Sequence, residues 1–195
     1  RELRKLYPKT PDKFHLELMS FSSNNGMPSI SYRLADIQRI QTGKKWYGAL
    51  YPDLKFKDKY SIKDKALVMS IIRQESRFDQ RGKSPARAQG LMQILPSTAA
   101  FIMKNRDYRG KLRHDLLIPE KNIAIGEKYM QHLYKEPHID NDIVKLLASY
   151  NAGPGNLNKW LKNVNFKKDP LLLIETIPSR ETRNYIKEVL KNYYV

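Results

Sequence analysis

The chain has 195 residues, of which 36 are Lys or Arg, 20 are Asp or Glu and none is Cys, so its formal net charge is +16. The length predicts one domain with room for a short attached segment, and the absence of Cys excludes disulfide scaffolds, thiolate nucleophiles and zinc ribbons. The charge favours a polyanionic partner, and nucleic acid, an anionic membrane face and an acidic cell-wall polymer all fit that description.

The pattern of apolar residues predicts an all-α fold. These residues recur every three or four positions along most of the chain, and the alternating runs typical of strands are rare. The predicted helices cover residues 11–23, 31–41, 62–77, 97–104, 119–135, 140–151, 155–163 and 180–193. The longest apolar windows are far shorter than the roughly 18 residues that a membrane-spanning helix requires. The sequence therefore predicts a helical protein without a transmembrane segment.

A segment of turn formers and aromatics from Thr42 to Asp53 separates two front helices from the rest of the chain. We therefore place a domain boundary near residue 50. Two helices bury little surface on their own, so we expect residues 1–49 to be the tail of an upstream helical domain and residues 50–195 to be the functional domain. The chain begins at Arg1 without the apolar stretch of a targeting peptide, so we expect a fragment or a processed form.

The predicted helix 62–77 carries a carboxylate on its apolar face, and its start at Ser61 resembles a capping box. The residues that share this face at helical spacing are Leu67, Ile71, Glu75 and Phe78. Burial disfavours an ionised carboxylate, so the pKa of Glu75 should be raised and the group partly protonated near neutrality, as a general acid requires. The alternative is a buried Glu paired with Arg, but Arg73 and Arg77 project from other faces of the helix.

A polar loop containing Gly and Pro follows this helix and leads to a motif around Gln93. Met92 and Leu95 alone would be ordinary core residues. An amide placed between them is a usual way for a cleft to orient a polar ligand. Ser97, at the end of the motif, is suited to cap the next helix.

A later helix ends in a second motif that begins at Tyr150. Asn151 and Gly153 suit a helix C-terminus and a tight turn, and Pro154 blocks continuation of the helix. Tyr150 has two interpretations. Its ring packs in the core with the hydroxyl satisfied, or its hydroxyl donates a hydrogen bond into a neighbouring cleft.

Together these motifs resemble the catalytic domain of the bacterial soluble lytic transglycosylases over about residues 50–195. The segments that carry the resemblance, all in the order of that family, are Ile71–Phe78, Ser84–Ala86, Gly90–Ala99, Asn122 with Ile123, Gly126 and Tyr129, Ser149–Gly155, and Glu175–Pro178 with Glu181, Thr182, Arg183 and Tyr185. The chain departs from the family pattern at Gln80, Gly82 and Arg87, where the family usually has Pro, Ala and Gly.

The resemblance implies a goose-lysozyme-like α fold whose cleft acts on the MurNAc-GlcNAc β-1,4 bond of peptidoglycan. Glu75 matches the single catalytic Glu of the family. The residues that match or accompany its glycan-binding positions are Ser76, Met92, Gln93, Tyr150, Asn151 and Glu181. The resemblance also implies a periplasmic or cell-envelope location, a targeting peptide outside this chain, peptidoglycan strands as the partner, and no cofactor.

Ordinary glycoside hydrolysis uses two carboxyl groups, and the sequence offers no convincing second one. Asp79 fits a turn, and Glu181 fits the first turn of a helix, where the dipole favours a negative charge. The resemblance implies that the substrate supplies the nucleophile: Glu75 protonates the glycosidic oxygen, the N-acetyl group of MurNAc stabilises the reacting centre, and the C6 hydroxyl attacks C1 to give a 1,6-anhydro sugar.

Two other functions stay open on the sequence alone: a hydrolytic muramidase with the same fold, and a non-catalytic glycan-binding module. Nucleic acid is not a predicted partner, because the chain has neither a basic recognition helix nor the aromatic signature of RNA-binding domains. The His residues lack the spacing of metal ligands. We predict that all of them lie on the surface: His15, His114, His132 and His138.

Overall fold

The computed structural model describes residues 12–52, 54, 64–166 and 169–195. Within these residues the predicted all-α fold is confirmed, and none of the helices is both long and apolar enough to cross a membrane. The α-helices are α1 Asp12–Asn24, α2 Pro28–Thr42, α3 Tyr47–Leu50, α4 Lys65–Ser76, α5 Pro96–Ile102, α6 Pro119–Tyr134, α7 Ile143–Ala152, α8 Pro154–Asn163, α9 Pro170–Thr176 and α10 Arg180–Tyr193. Short 3₁₀ helices cover Arg106–Arg109 and Arg113–Leu117.

Carboxylate and hydroxyl caps define several helix starts. The side chains that accept a hydrogen bond from the first-turn N–H groups are Asp64 in α4, Asp142 in α7, Asp169 in α9 and Ser179 in α10. Such caps satisfy backbone donors that have no partner within the helix. The predicted capping residue Ser61 lies outside the described residues, and Asp64 caps α4 instead.

The prediction that Ser97 caps a helix is wrong. Helix α5 begins at Pro96, and the preceding Leu95 has an extended backbone and makes no side-chain cap. Proline suits the first helical position because its φ is fixed near the helical value and its missing N–H is not needed there. The short helices α3 and α9, of four and seven residues, are additions to the predicted set.

Helices α2 and α3 contact the end of α4 that carries the candidate acid. The ring of Tyr32 in α2 lies 5.6 Å from the ring of Phe78, which lies two residues after the end of α4 and is almost fully buried. Arg73 in α4 donates a hydrogen bond of 3.1 Å to the carbonyl oxygen of Leu50. These contacts join the two parts of the chain, and the boundary near residue 50 stays a prediction.

The prediction of surface histidines is wrong for His15. This side chain is only 4% exposed, and its Nδ1 lies 2.9 Å from Nε2 of Gln38 across the α1–α2 interface. His15 lies one helical turn before Met19, which is also buried, so both face α2. The histidine therefore serves as an interior hydrogen-bonding group between the two front helices.

Helix α10 holds the two helices that bear the main motifs, because it packs against both α4 and α7. Its inward face consists of Thr182, Tyr185, Ile186 and Val189, all of them buried. These residues follow the three- and four-residue spacing of one helix face. The C-terminal ends of α4 and α7 and the N-terminal end of α10 therefore lie close together.

Asn122 in α6 fixes the motif loop that precedes α5. Its side chain is fully buried, and its Oδ1 accepts a hydrogen bond of 2.7 Å from the backbone N–H of Met92. Its Nδ2 donates to the carbonyl oxygens of Gln89 and Leu116, both at 2.8 Å. One amide thus satisfies three backbone groups from two separate segments.

We predict that Asn122→Ala lowers the free energy of unfolding by about 2–4 kcal/mol, because three buried backbone groups lose their partner. Urea unfolding at neutral pH measures this value. Asn156→Ala is the matched control: Asn156 also lies in a helix, but it is exposed and makes one side-chain hydrogen bond, to the carbonyl oxygen of Ala152. A loss below about 1 kcal/mol for Asn122→Ala would contradict the role given to this amide.

Candidate active site

Glu75 lies in the last turn of α4 and is half-buried. Burial raises the pKa of its carboxyl from 4.5 to about 7, the charge of Glu181 raises it further, and the nearby Tyr185 hydroxyl opposes the shift. The predicted raised pKa is confirmed, with the predicted cause. Near neutral pH the group is about half protonated, so it can both donate and accept a proton.

Two buried tyrosines flank this carboxyl. Burial and the charge of Glu75 raise the pKa of Tyr150 and of Tyr185 well above its usual value, so both phenols stay neutral. The Tyr185 hydroxyl makes no hydrogen bond of ordinary geometry to any described residue, although it lies close enough to Glu75 to favour its ionised form. The ring of Tyr129 lies 5.4 Å from that of Tyr150.

The hydroxyl of Tyr150 donates a hydrogen bond of 2.9 Å to the backbone carbonyl of Met92. Of the two interpretations of Tyr150, the structure favours packing with a satisfied hydroxyl, because its single donor is occupied. The helix end itself is as predicted: Gly153 has a φ of 86° and ends α7, and Pro154 begins α8. Tyr150 therefore braces the motif loop beside Glu75.

Met92 supports the site from behind. Its side chain has no exposed surface, and a Cβ built on Gly126 would lie 2.3 Å from its Sδ atom. Real Cβ atoms do not approach so closely, so the lack of a side chain at position 126 lets Met92 pack against α6. The Met92 side chain is predicted to contact the glycan, but in this conformation it has no accessible surface for such a contact.

Gln93 holds the loop that follows α4. Its backbone has a φ of 48°, and its side-chain amide donates to the carbonyl oxygens of Gly90 at 2.8 Å and Gly82 at 3.2 Å. Arg87 in the same loop has a φ of 68°. Gly adopts that left-handed conformation at lower cost than Arg does.

The remaining predicted site residues lie at the ends of the three helices around Glu75. Ser76 donates a hydrogen bond of 3.1 Å to the carbonyl oxygen of Ile72 in its own helix. Oδ1 of Asn151 accepts a hydrogen bond of 2.8 Å from the hydroxyl of Thr182, which joins the end of α7 to the start of α10. Glu181 is exposed in the first turn of α10, and its charge reaches Glu75.

The structure thus brings Glu75, Tyr150 and Glu181 together and adds Tyr129 and Tyr185. Both tyrosines belong to the family motifs quoted above, and neither is among the predicted site residues. For Tyr185 a signal was present, because its spacing from Ile186 and Val189 puts it on the inward face of α10. Spacing alone does not say which residue that face meets.

Asp79 is a turn residue, as predicted. Its carbonyl oxygen accepts from the N–H of Gly82, and its Oδ1 accepts from the N–H of Arg81, both at 3.0 Å. Arg73 is held against tyrosine rings and Arg77 is exposed, so neither neutralises Glu75. No three His, Asp or Glu side chains in the described parts of the chain gather into a possible metal site.

Comparison with known proteins identifies relatives of this chain. The family described as "Transglycosylase SLT domain" matches residues 54–172. The soluble lytic murein transglycosylase of Salmonella typhimurium is 44% identical over 126 residues, which are 63% of this chain and 19% of the relative. The protein of the same name from Escherichia coli K12 is 37% identical over 183 residues, which are 89% of this chain and 27% of the relative.

A solved structure extends the comparison to the fold. The crystal structure of the 70 kDa soluble lytic transglycosylase SLT70 from Escherichia coli matches with a TM-score of 0.82 and 31% identity. The match covers 99% of this chain and 32% of that chain. The matched parts therefore cover 19–32% of the length of these relatives.

We predict that the unfolding free energy of the protein depends on pH through Glu75. With its pKa raised from 4.5 to about 7, the folded protein holds a proton that the unfolded chain releases between these pH values. Stability is therefore lost as the pH rises through this window, by on the order of 3 kcal/mol from this group. Denaturant unfolding of wild type and Glu75→Gln at pH values from 4 to 8 isolates the effect as the difference between the two proteins.

Glu175→Gln provides the control of opposite sign. Glu175 pairs with Lys187 at 2.6 Å, and this pairing lowers the pKa of its carboxyl. Its stabilising effect is therefore present at neutral pH and lost in acid. A wild-type curve parallel to that of Glu75→Gln would contradict the raised pKa of Glu75.

Proposed function

The chain belongs to the Transglycosylase SLT domain family, and we propose that it cleaves the MurNAc-GlcNAc β-1,4 bond of peptidoglycan without water, leaving 1,6-anhydroMurNAc ends. The observation that carries this proposal is the carboxyl of Glu75, whose pKa of about 7 suits a group that acts first as an acid and then as a base. The named relatives are lytic murein transglycosylases, which supports the same reaction class.

In the first step the protonated Glu75 carboxyl donates its proton to the glycosidic oxygen. The bond from that oxygen to C1 of MurNAc breaks, and the GlcNAc part leaves as an alcohol. The N-acetyl group of MurNAc stabilises the positive charge that develops at C1. Protonation of a leaving group by a positioned acid contributes roughly 100- to 10,000-fold to a rate.

In the second step the Glu75 carboxylate removes the proton of the C6 hydroxyl while its oxygen bonds to C1. The enzyme regains its starting protonation state and no water is consumed. Attack from within the same sugar ring benefits from high effective concentration.

A hydrolase would differ from this enzyme by having a second carboxylate that activates water. Among the described residues, Glu181 is the carboxylate whose charge acts on Glu75. It is exposed in the first turn of α10, where the helix dipole stabilises its ionised form. We assign it an electrostatic role, because its negative charge keeps the Glu75 proton in place until substrate binds.

We propose that Ser76, Gln93, Tyr150, Asn151 and Glu181 contact or shape the site of the glycan. Through the hydrogen bonds described above, the side chains of Gln93, Tyr150 and Asn151 hold the loop and the helix ends in place around Glu75. Met92 contributes through its packing and its backbone carbonyl. Direct contact with sugar is expected first from Ser76 and Glu181, which flank the acid.

We propose that residues 1–49 are the tail of an upstream helical domain and that residues 50–195 form the catalytic domain. The relatives are several times longer than this chain, which supports a larger parent protein. We further propose that the protein works in the periplasm or elsewhere in the cell envelope, since its substrate lies there. The net charge of +16 suits attraction to the carboxylates of the wall.

We predict that the protein releases from purified peptidoglycan soluble muropeptides that are lighter by one water than hydrolysis products, as mass spectrometry measures. Glu75→Gln should keep the fold and lower the rate by at least about 100-fold, because the amide cannot donate the proton. Glu120→Gln, which changes an exposed carboxyl in the first turn of α6, is the control and should cleave like wild type.

Three results would contradict the proposed reaction. Products that contain the added water would identify a hydrolytic muramidase on this fold. Full activity of Glu75→Gln would place the acid at another residue. Binding to walls without any product from either protein would instead identify a glycan-binding module.

A further inference from the structure

A concave site apart from Glu75 lies between α5 and α6. The cavity has a volume of about 550 Å³, and its walls are the end of α5 and the second half of α6. Lys128 and Gln131, which line it, project from the side of α6 roughly opposite to Gly126 and Leu133, which are buried. Neither Glu75 nor the tyrosines around it line this cavity. The cavity is thus separate from the candidate active site.

Lysine dominates the charge of this cavity. Lys104, Lys128 and Lys135 line it, and all three side chains are exposed. Within the described residues no carboxylate lines the cavity, and none pairs with these lysines. Ammonium groups on long flexible stems suit a diffuse array of anions, whereas a single planar carboxylate is bound better by arginine.

Carboxylates in the neighbourhood are engaged or point elsewhere. Glu136 lies 3.6 Å from Nε2 of His132. Asp64 and Glu127 line a different cavity, between α4 and α6, and Lys135 lies at the rim of both cavities. Glu127 is turned by about 100° around α6 from the lysine that follows it. The face between α5 and α6 therefore keeps its positive potential.

Apolar surface lies among the lysines. The side chain of Phe101 is 63% exposed, although its ring contacts that of His132 with centres 5.1 Å apart. Ile102 beside it is partly exposed and also lines the cavity. Lysines around an exposed aromatic ring are typical of protein faces that lie on anionic membranes. There the ammonium groups meet the lipid phosphates and the ring enters the boundary between headgroups and acyl chains.

We propose that this face binds the surface of an anionic phospholipid membrane. Lipid phosphates lie against Lys104, Lys128 and Lys135, and the Phe101 ring enters the acyl boundary. Of the polyanions that a net charge of +16 favours, an anionic membrane is the one that also offers an apolar phase in which this ring is buried. The binding goes beyond the proposed cleavage reaction, because it holds the protein at a membrane and leaves the chemical step at Glu75 unchanged.

Cosedimentation of the 195-residue chain with lipid vesicles tests the proposal. The chain should bind vesicles made of equal parts of phosphatidylglycerol and phosphatidylcholine, and it should not bind vesicles of phosphatidylcholine alone. Lys128→Ala should weaken binding about fivefold, and Phe101→Ala about tenfold, because the apolar ring is no longer buried. The effect of the lysine should shrink at high salt, which screens charges, whereas the effect of the phenylalanine should persist.

Two control variants separate this face from the general charge of the protein. Lys44→Ala removes an exposed lysine between α2 and α3, and Leu171→Ala removes an apolar side chain in α9 that is 72% exposed. Both variants should bind the vesicles like wild type. Lys128 and Phe101 are exposed as well, so all four variants should keep the fold.

A fluorescent label supplies the second readout. Because the chain has no Cys, Phe101→Cys and Lys44→Cys each provide one attachment point for a dye that brightens in an apolar environment. The emission of the dye at position 101 should rise when anionic vesicles are added, and the emission at position 44 should stay unchanged.

The proposal is overturned if neutral vesicles bind equally well, if Lys44→Ala weakens binding as much as Lys128→Ala, or if the dye at position 101 stays in water. Polyglutamate that binds more tightly than the vesicles, with the same dependence on Phe101 and Lys128, would also overturn it and would identify an acidic protein partner instead. Because vesicle binding requires no turnover, failure of the proposed reaction would be recognised separately.

Discussion

The rest of the site depends on the burial of one carboxyl group, that of Glu75 at the end of α4. A carboxyl in water would be ionised at neutral pH, whereas burial raises the pKa of this one to about 7. The protein must therefore supply packed surroundings without a neutralising positive charge at a helix end, where chains usually meet solvent. The buried phenols of Tyr150 and Tyr185 do so, because they fill space without adding a second charge.

A chain of hydrogen bonds keeps these surroundings in place. Asn122 in α6 accepts a hydrogen bond from the backbone N–H of Met92. The backbone carbonyl of Met92 in turn accepts a hydrogen bond from the hydroxyl of Tyr150 in α7. The motif loop is thereby tied on both sides, while Asn151 and Thr182 join α7 to α10. The stability of the fold and the proton affinity of Glu75 consequently depend on the same few contacts, which explains why the motifs are spread over most of the chain.

Local sequence patterns predicted the features that depend on residues within one helix or one turn. They gave the all-α fold, the inward direction of Glu75 with its raised pKa, and the turn at Asp79. These patterns did not predict which helix face packs against a face of another helix that is distant in sequence. The hydrogen bonds of Asn122 reach residues 30 and 33 positions away, and neither the burial of His15 nor the meeting of Tyr185 with Glu75 is visible within one helix.

The most direct test of this account is an NMR titration of the ¹³C-labelled Glu75 carboxyl in three proteins. The account predicts a pKa of about 7 in the wild type. Glu181→Gln should lower it, since a nearby negative charge is removed, and Tyr185→Phe should raise it, since the hydroxyl that favours the ionised form is lost. A wild-type pKa near 4.5, or shifts of the same sign in both variants, would contradict the claim that these surroundings set the proton affinity of Glu75.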